Sequence, residues 1–170
     1  MIFKKATPND SHLIAETMKR IQKNMENKDW YVIDSEEFIR KSIDGIHGFG
    51  LLAIENDVLA GYFIIRFPAF DEEDHLGDYI GLDIEQKKRT VYMDSAAVLP
   101  EFRGQGLQNR MLTECEHILT KTNYKYALST IAPNNSASLH SLIKNKFKVV
   151  KTAKLYGRLE RNILYKELKK

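Results

Sequence analysis

Apolar residues recur along the chain at two spacings, and the changes from one to the other divide it into elements. The opening Met1-Ile2-Phe3-Lys4-Lys5 reads as a short strand. Leu13, Ile14, Thr17, Met18, Ile21 and Met25 then share one face of a helix, with Asn9 or Asp10 ahead as its cap. Asp34-Ser35-Glu36-Glu37 has the spacing of a capping box before Phe38, Ile39, Ile43 and Ile46, which predicts a second, shorter helix. Residues 50–55 and 58–66 flank Asn56-Asp57 and read as an antiparallel hairpin. Residues 91–99 form a strand ended by Pro100, after which Leu107, Met111, Leu112, Cys115, Ile118 and Leu119 mark a helix face. A strand at 126–132, a helix at 135–144 and strands at 147–155 and 162–168 complete the order βααβββαβαββ. Strands and helices alternate only in the middle, so the pattern predicts an α/β chain with a mixed sheet and helices on both faces.

Nothing in this pattern repeats, and no Gly/Ser linker interrupts it, so the 170 residues are expected to form a single domain, 1–170. The stretch 68–89, with Asp71-Glu72-Glu73-Asp74-His75 and then Gly77, Asp78, Gly81 and Asp83, is the most loop-like. Lys and Arg total 26 against 23 Asp and Glu, a net charge of +3. The basic residues are dispersed apart from Lys87-Lys88-Arg89 and Lys169-Lys170, both read as solvated surface, so no nucleic-acid partner is expected. The longest nearly apolar run, 58–65, is closed by Arg66 and is far short of the roughly 20 residues that span a bilayer. No membrane partner and no export signal are expected, which with the single Cys115 suits a cytoplasmic location. The five histidines have no paired ligand spacing, so no metal site is expected.

The most informative segment is Val98-Leu99-Pro100-Glu101-Phe102-Arg103-Gly104-Gln105-Gly106-Leu107-Gln108-Asn109, where a strand feeds into a helix N-terminus. The first turn of a helix has unpaired N–H groups and a partial positive charge, and glycines let an anion approach the backbone closely. A phosphate or pyrophosphate fits such a turn, with Arg103 adding charge beside it. No Gly-Lys-Ser/Thr follows, which excludes a Walker loop, and Gly104-x-Gly106-x-x-Asn109 lacks the third glycine of a dinucleotide fingerprint.

These residues resemble the signature of the GNAT superfamily of N-acetyltransferases, Arg/Gln-x-x-Gly-x-Gly/Ala after a strand ending in small apolar residues and Pro. Here the match is Ala96-Ala97-Val98-Leu99-Pro100 with Arg103-Gly104-Gln105-Gly106-Leu107-Gln108, and Gln108 stands where Gly or Ala is usual. Downstream, Asn135, Ser138 and Lys146-Phe147 keep the family's spacing with Lys in place of one glycine. The resemblance implies a mostly antiparallel central sheet with a splayed central strand pair. It implies acetyl-coenzyme A as cosubstrate, lying in a notch between strands 91–99 and 126–132. Its pantetheine would pair with the backbone of Ala96 and Val98, its pyrophosphate would take N–H groups from Arg103, Gly104, Gln105, Gly106, Leu107 and Gln108, and Asn135 would join the cofactor site.

The implied reaction is direct transfer of an acetyl group to an amine of a small molecule or peptide. An ammonium must lose a proton before it can attack a thioester. Asp94, the only acid in 91–99, suits that task, and an N–H near Ala97 or Val98 would stabilise the oxyanion. In many relatives a tyrosine seven residues after the Asn protonates the leaving thiolate, but Leu142 stands there. Tyr156, His140 or water are the substitutes, with Tyr156 preferred. The acidic run 71–74 is expected to border the acceptor cleft, and an exposed final strand offers a surface for a homodimer. The competing readings are an acyl-coenzyme A binding module without turnover, motivated by Leu142 and Gln108, and more distantly a mononucleotide-binding domain.

Overall fold

A computed structural model describes residues 1–168; the Lys169-Lys170 pair lies outside the described residues. In chain order the elements are β1 (Ile2–Lys5), α1 (Ser11–Lys23), α2 (Glu36–Ser42), β2 (Gly48–Glu55), β3 (Val58–Arg66), α3 (Ile84–Lys88), β4 (Thr90–Val98), α4 (Leu107–Leu119), β5 (Tyr126–Ile131), α5 (Ser136–Lys144), β6 (Lys148–Leu155) and β7 (Leu159–Glu167). The strands form one seven-stranded sheet in the order β1-β2-β3-β4-β5-β7-β6. Pairing is antiparallel for β1–β2, β2–β3, β5–β7 and β6–β7, and parallel for β4–β5. The expected mixed, mostly antiparallel α/β fold is therefore present, with all seven predicted strands.

Local chemistry explains the turns. Asn56 and Asp57 both take positive φ, 49° and 63°, and join Glu55 to Val58 in a two-residue hairpin of the kind those residue types tolerate. At the start of α1, the Asp10 carboxylate accepts from the Thr7 N–H at 2.7 Å and the Thr7 hydroxyl at 2.9 Å, rather than capping the helix itself. Ser35, not Asp34, caps α2, accepting from the Phe38 N–H at 3.1 Å.

By contact density the chain divides into two units: Met1–Arg66 with Asp94–Cys115, and Phe67–Met93 with the chain from Glu116 on. In the first, α1 and α2 bring Ile14, Met18, Ile21, Ile39 and Ile43 onto Leu52, Tyr62 and Ile64 of β2 and β3, with Ala97 and Leu99 completing the core. Leu13 and Ile46, predicted on the buried faces, are exposed, because α1 turns Ile14 and Ala15 inward and α2 ends at Ser42. Gly61 faces the other side of β3: a Cβ there would lie 2.8 Å from the Ala97 carbonyl oxygen and 3.2 Å from Met111 of α4. Only glycine permits that approach.

The second unit packs Leu76, Tyr92, Leu128, Leu155 and Ile163 together. The stretch 68–89, predicted as loop, contains a 3-10 turn (Leu76–Ile80) and α3, whose Asp83 and Gln86 cap one another reciprocally. His75 is fully buried there, its Nδ1 accepting from the Gly77 N–H at 2.9 Å, and the Tyr92 hydroxyl accepts from the Leu76 N–H at 2.8 Å. Parallel pairing of β4 with β5 covers Thr90–Tyr92 against Tyr126–Leu128, after which the Ser129 hydroxyl donates to the Met93 carbonyl at 3.2 Å. The final strand is not an exposed edge. β7 lies between β5 and β6, so the outer strand is β6, and its Lys148, Lys151 and Lys154 disfavour edge-to-edge pairing. Among the described residues no helix is long and apolar enough to cross a membrane.

Candidate functional site

The site begins where β4 ends. The Leu99 N–H donates to the Ala60 carbonyl at 2.9 Å, holding the strand end against β3, and Pro100 opens a single 3-10 turn (Pro100–Phe102). Arg103 leaves that turn extended, and Gly104 and Gly106 follow at φ 78° and 67°. No atom lies within 4 Å of a Cβ placed on either glycine, so both face open space and their identity serves backbone conformation. The first α-helical bond of α4 is from the Arg110 N–H to the Gly106 carbonyl, 3.0 Å, which leaves the Leu107 and Gln108 N–H groups outside the ladder. The exposed run Arg103–Gly106 thus meets the positive end of a 13-residue helix anchored by buried Leu107, Met111 and Leu112. The Arg103 side chain folds back, its Nε donating to the Val98 carbonyl at 3.2 Å. Gln108 is half-buried beside the apolar stripe of α4.

Beside this turn in the same unit, β4 carries half-buried Asp94, Ser95 and Ala96 followed by buried Ala97 and Val98. Arg66, at the end of β3, donates from Nε to Asp94 Oδ1 at 3.2 Å, and its guanidinium lies 5.8 Å from the Phe38 ring centre. The Ser95 hydroxyl is flanked by two phenols, Tyr31 and Tyr62, each at 3.4 Å. Asp34 sits among these charges: burial and repulsion from Asp94 push its carboxyl up to about 6, against the opposing effect of Arg66. Burial likewise raises Tyr31, offset by its contact to Ser95, so its phenol stays neutral.

In the second unit, Asn135 caps α5, its side chain accepting from the Ser138 N–H at 3.4 Å, while its own N–H donates to the Ala132 carbonyl at 2.9 Å. Leu142 is buried in the core, and His140 is exposed. The Phe147 N–H closes α5 onto the Leu142 carbonyl at 3.1 Å, with Lys146 at φ 70°, the conformation a glycine would favour. Tyr156 begins the β6–β7 turn at φ 51° beside Gly157 at φ 91°; its hydroxyl is 2.9 Å from that of Thr130, and the Arg161 guanidinium lies 6.0 Å from its ring centre. Cys115 is buried. Among the described residues no group of three His, Cys, Asp or Glu is placed to hold a metal ion.

The sequence singles out Asp94 and the glycine turn; Tyr31, Asp34, Tyr62, Arg66 and Ser95, which the fold gathers around Asp94, it does not. Asp34 was absorbed into a capping box, and nothing local in the chain signals that residues 31–38 return to β4. Arg66, a cation ending an apolar strand, was the one visible sign.

Fold and turn together define a class: a mixed-sheet α/β chain with a glycine-bearing turn between a strand and the N-terminus of a helix. The profile of the Acetyltransferase (GNAT) family matches residues 15–143, and the chain belongs to that family. No curated protein matches the sequence. Among solved structures, a GNAT-family acetyltransferase from Streptococcus pneumoniae is 15% identical with a TM-score of 0.71, covering 99% of each chain. A ribosomal-protein-alanine N-acetyltransferase from Brucella melitensis is 16% identical with a TM-score of 0.73, covering 99% of this chain and 100% of its own. Arabidopsis thaliana NAA60, in complex with acetyl-CoA, is 12% identical with a TM-score of 0.76, covering 98% of each chain. At these identities the similarity shows the fold.

Proposed function

We propose that this protein is an acetyl-coenzyme A dependent N-acetyltransferase that transfers an acetyl group directly to an amine of a small molecule or peptide, acting in the cytoplasm as a single domain. One observation carries the reading: the open turn Arg103–Gly106, with both glycines at positive φ, delivers free N–H groups at the N-terminus of α4. Backbone N–H groups of Gly104 to Gln108 receive the pyrophosphate, whereas the Arg103 N–H, expected to join them, already donates to the Pro100 carbonyl at 3.2 Å; because these are main-chain groups Gln108 is compatible with the role. The backbone of Ala96, Ala97 and Val98 takes the pantetheine and the thioester oxygen, and Asn135 is assigned to the cofactor site. Asp94 is the carboxylate at the amine, and the Tyr156 hydroxyl is the proton donor to the departing thiolate. The acetyl-CoA in the NAA60 complex supports the cosubstrate, and the bisubstrate analogue bound to NAA60 and the name of the Brucella enzyme support the peptide arm of the acceptor class.

The second reading, an acyl-coenzyme A binding module without turnover, is favoured by Leu142, a core residue at the place of the usual acid. Thiol release from acetyl-coenzyme A with spermidine, lysine and an alanine-initiated peptide as acceptors separates the two. The enzyme reading expects turnover that falls about 100-fold in Asp94→Asn, the scale of a lost general base, and about 10-fold in Tyr156→Phe. Binding of acetyl-coenzyme A without thiol release from any acceptor supports the module instead.

A further inference from the structure

Charge is unevenly spread along the chain. The 43 residues from 117 to 159 hold eight Lys and Arg and no Asp or Glu. The net charge of +3 therefore divides into +8 in this stretch and −5 in the rest, where 18 Lys and Arg meet all 23 acids. Six of the eight cations, Lys144, Lys146, Lys148, Lys151, Lys154 and Arg158, lie on or beside β6, and all six are exposed. None of them is ion-paired among the described residues; Lys151 lies over the Tyr79 ring at 5.9 Å, and Lys154 stands opposite Glu160 in register.

β6 is also the outer strand of the sheet, with β7 as its neighbour on one side only. Its other side presents main-chain N–H and C=O groups that no strand takes up. The register slips between Val149 and Lys151, which leaves Val150 as a bulge, and 151–155 then pairs residue by residue with 159–163. Five residues give a regular edge of about 17 Å, the length of an ordinary strand. Lys148 and Lys151, opposite Tyr165 and Ile163, share one face of the sheet, while Lys154 is on the other. Val149 and Val150, 44% and 45% exposed, add apolar surface at one end.

Lysines on an edge repel a second copy of the same strand. That protection needs one or two of them; it does not account for six cations without a carboxylate partner, whose mutual repulsion persists until an anion arrives. An anion that also uses the free edge must carry alternating N–H and C=O groups, which an extended polypeptide has and a nucleic acid or phospholipid lacks. We infer that β6 is a docking edge for an acidic, extended segment of a partner protein. The segment adds as an eighth strand beside 151–155, bonds β6 through its main chain, and sets Asp or Glu against the lysines on both faces and an apolar side chain against Val149 and Val150. This edge lies wholly in the second unit and uses none of the residues assigned to acetyl transfer, so it stands independently of that reading.

The test titrates the full chain by calorimetry with the blocked peptide acetyl-Val-Glu-Val-Glu-Glu-Val-Glu-amide, whose acids fall on both faces of a strand. Binding with a Kd of about 10–100 μM is expected, together with new protection of β6 amide protons from hydrogen exchange. The same peptide with alternate amides N-methylated keeps its charge but loses its donors, and is expected to bind at least about 10-fold more weakly. The triple variant Lys148→Glu, Lys151→Glu, Lys154→Glu is expected to weaken the unmodified peptide at least about 10-fold as well. No binding of the acidic peptide, equal binding of its N-methylated form, or tighter binding of a single-stranded RNA oligonucleotide or of phosphatidylserine vesicles overturns the assignment.

Discussion

At Asp34, burial and the Asp94 charge raise the carboxyl to about 6 in the folded chain, above the ordinary aspartate value the unfolded chain would show. The folded state therefore holds a proton more tightly, and the stability this gives is complete below the unfolded value and is lost as pH rises through about 6. Asp34→Asn is expected to stabilise the protein by about 1–2 kcal/mol at neutral pH and to change little in acid, read by urea unfolding at both. A variant that gains stability while losing turnover would mark Asp34 as a residue kept for chemistry. Lys146 shows the opposite case, a strained position with no site role: at φ 70° and exposed, Lys146→Gly should gain about 0.5–1 kcal/mol in the same assay. The vacant glycine before Phe147 was legible in the sequence, because a helix end is a local event. Asp34 was not, since its partners Arg66 and Asp94 lie far along the chain and its own neighbours spell a cap.

The elements were legible where one periodicity ruled them. The hairpin around Asn56-Asp57, the buried face of α4 and the strand-to-helix turn at Pro100 appear as read, since spacing, turn residues and burial agree there. The short α3 was missed because five residues (Ile84–Lys88) carry too little periodicity to register; only its Asp83 and Gln86 capping pair announced it. β7 begins at Leu159 rather than 162, as the three-residue turn from Tyr156 lets the strand start early. Gly61 tests the packing of β3: with a Cβ 2.8 Å from the Ala97 carbonyl oxygen, Gly61→Ala should cost about 1–3 kcal/mol and, by displacing the same stretch of β4 that is assigned to pantetheine, weaken acetyl-coenzyme A. Urea unfolding and calorimetry on one sample read both effects; an alanine variant of unchanged stability would contradict the packing.

Over the whole chain, sequence order gave the strand count and the mixed sheet, but not the sheet order. β7 entering between β5 and β6 is set by pairing between distant segments, which no local pattern encodes, and it moves the exposed edge from the last strand to lysine-bearing β6. The glycine turn was legible because its residues are contiguous, while the cluster around Asp94 is assembled from β3, β4 and the segment before α2. The turn before α4 is expected to bind acetyl-coenzyme A through its backbone. Its most direct test is calorimetric titration of the unmodified protein and of Gly106→Val with acetyl-coenzyme A, using ATP and NADH as controls. At φ 67° a β-branched residue is strained whatever the open space around it, so valine must distort the N–H array. Micromolar binding of acetyl-coenzyme A alone is expected, weakened about 100-fold or more in Gly106→Val, equivalent to a loss of about 2.7 kcal/mol. Absence of binding, equal binding of ATP, or a valine variant that binds as tightly as the unmodified protein would contradict it.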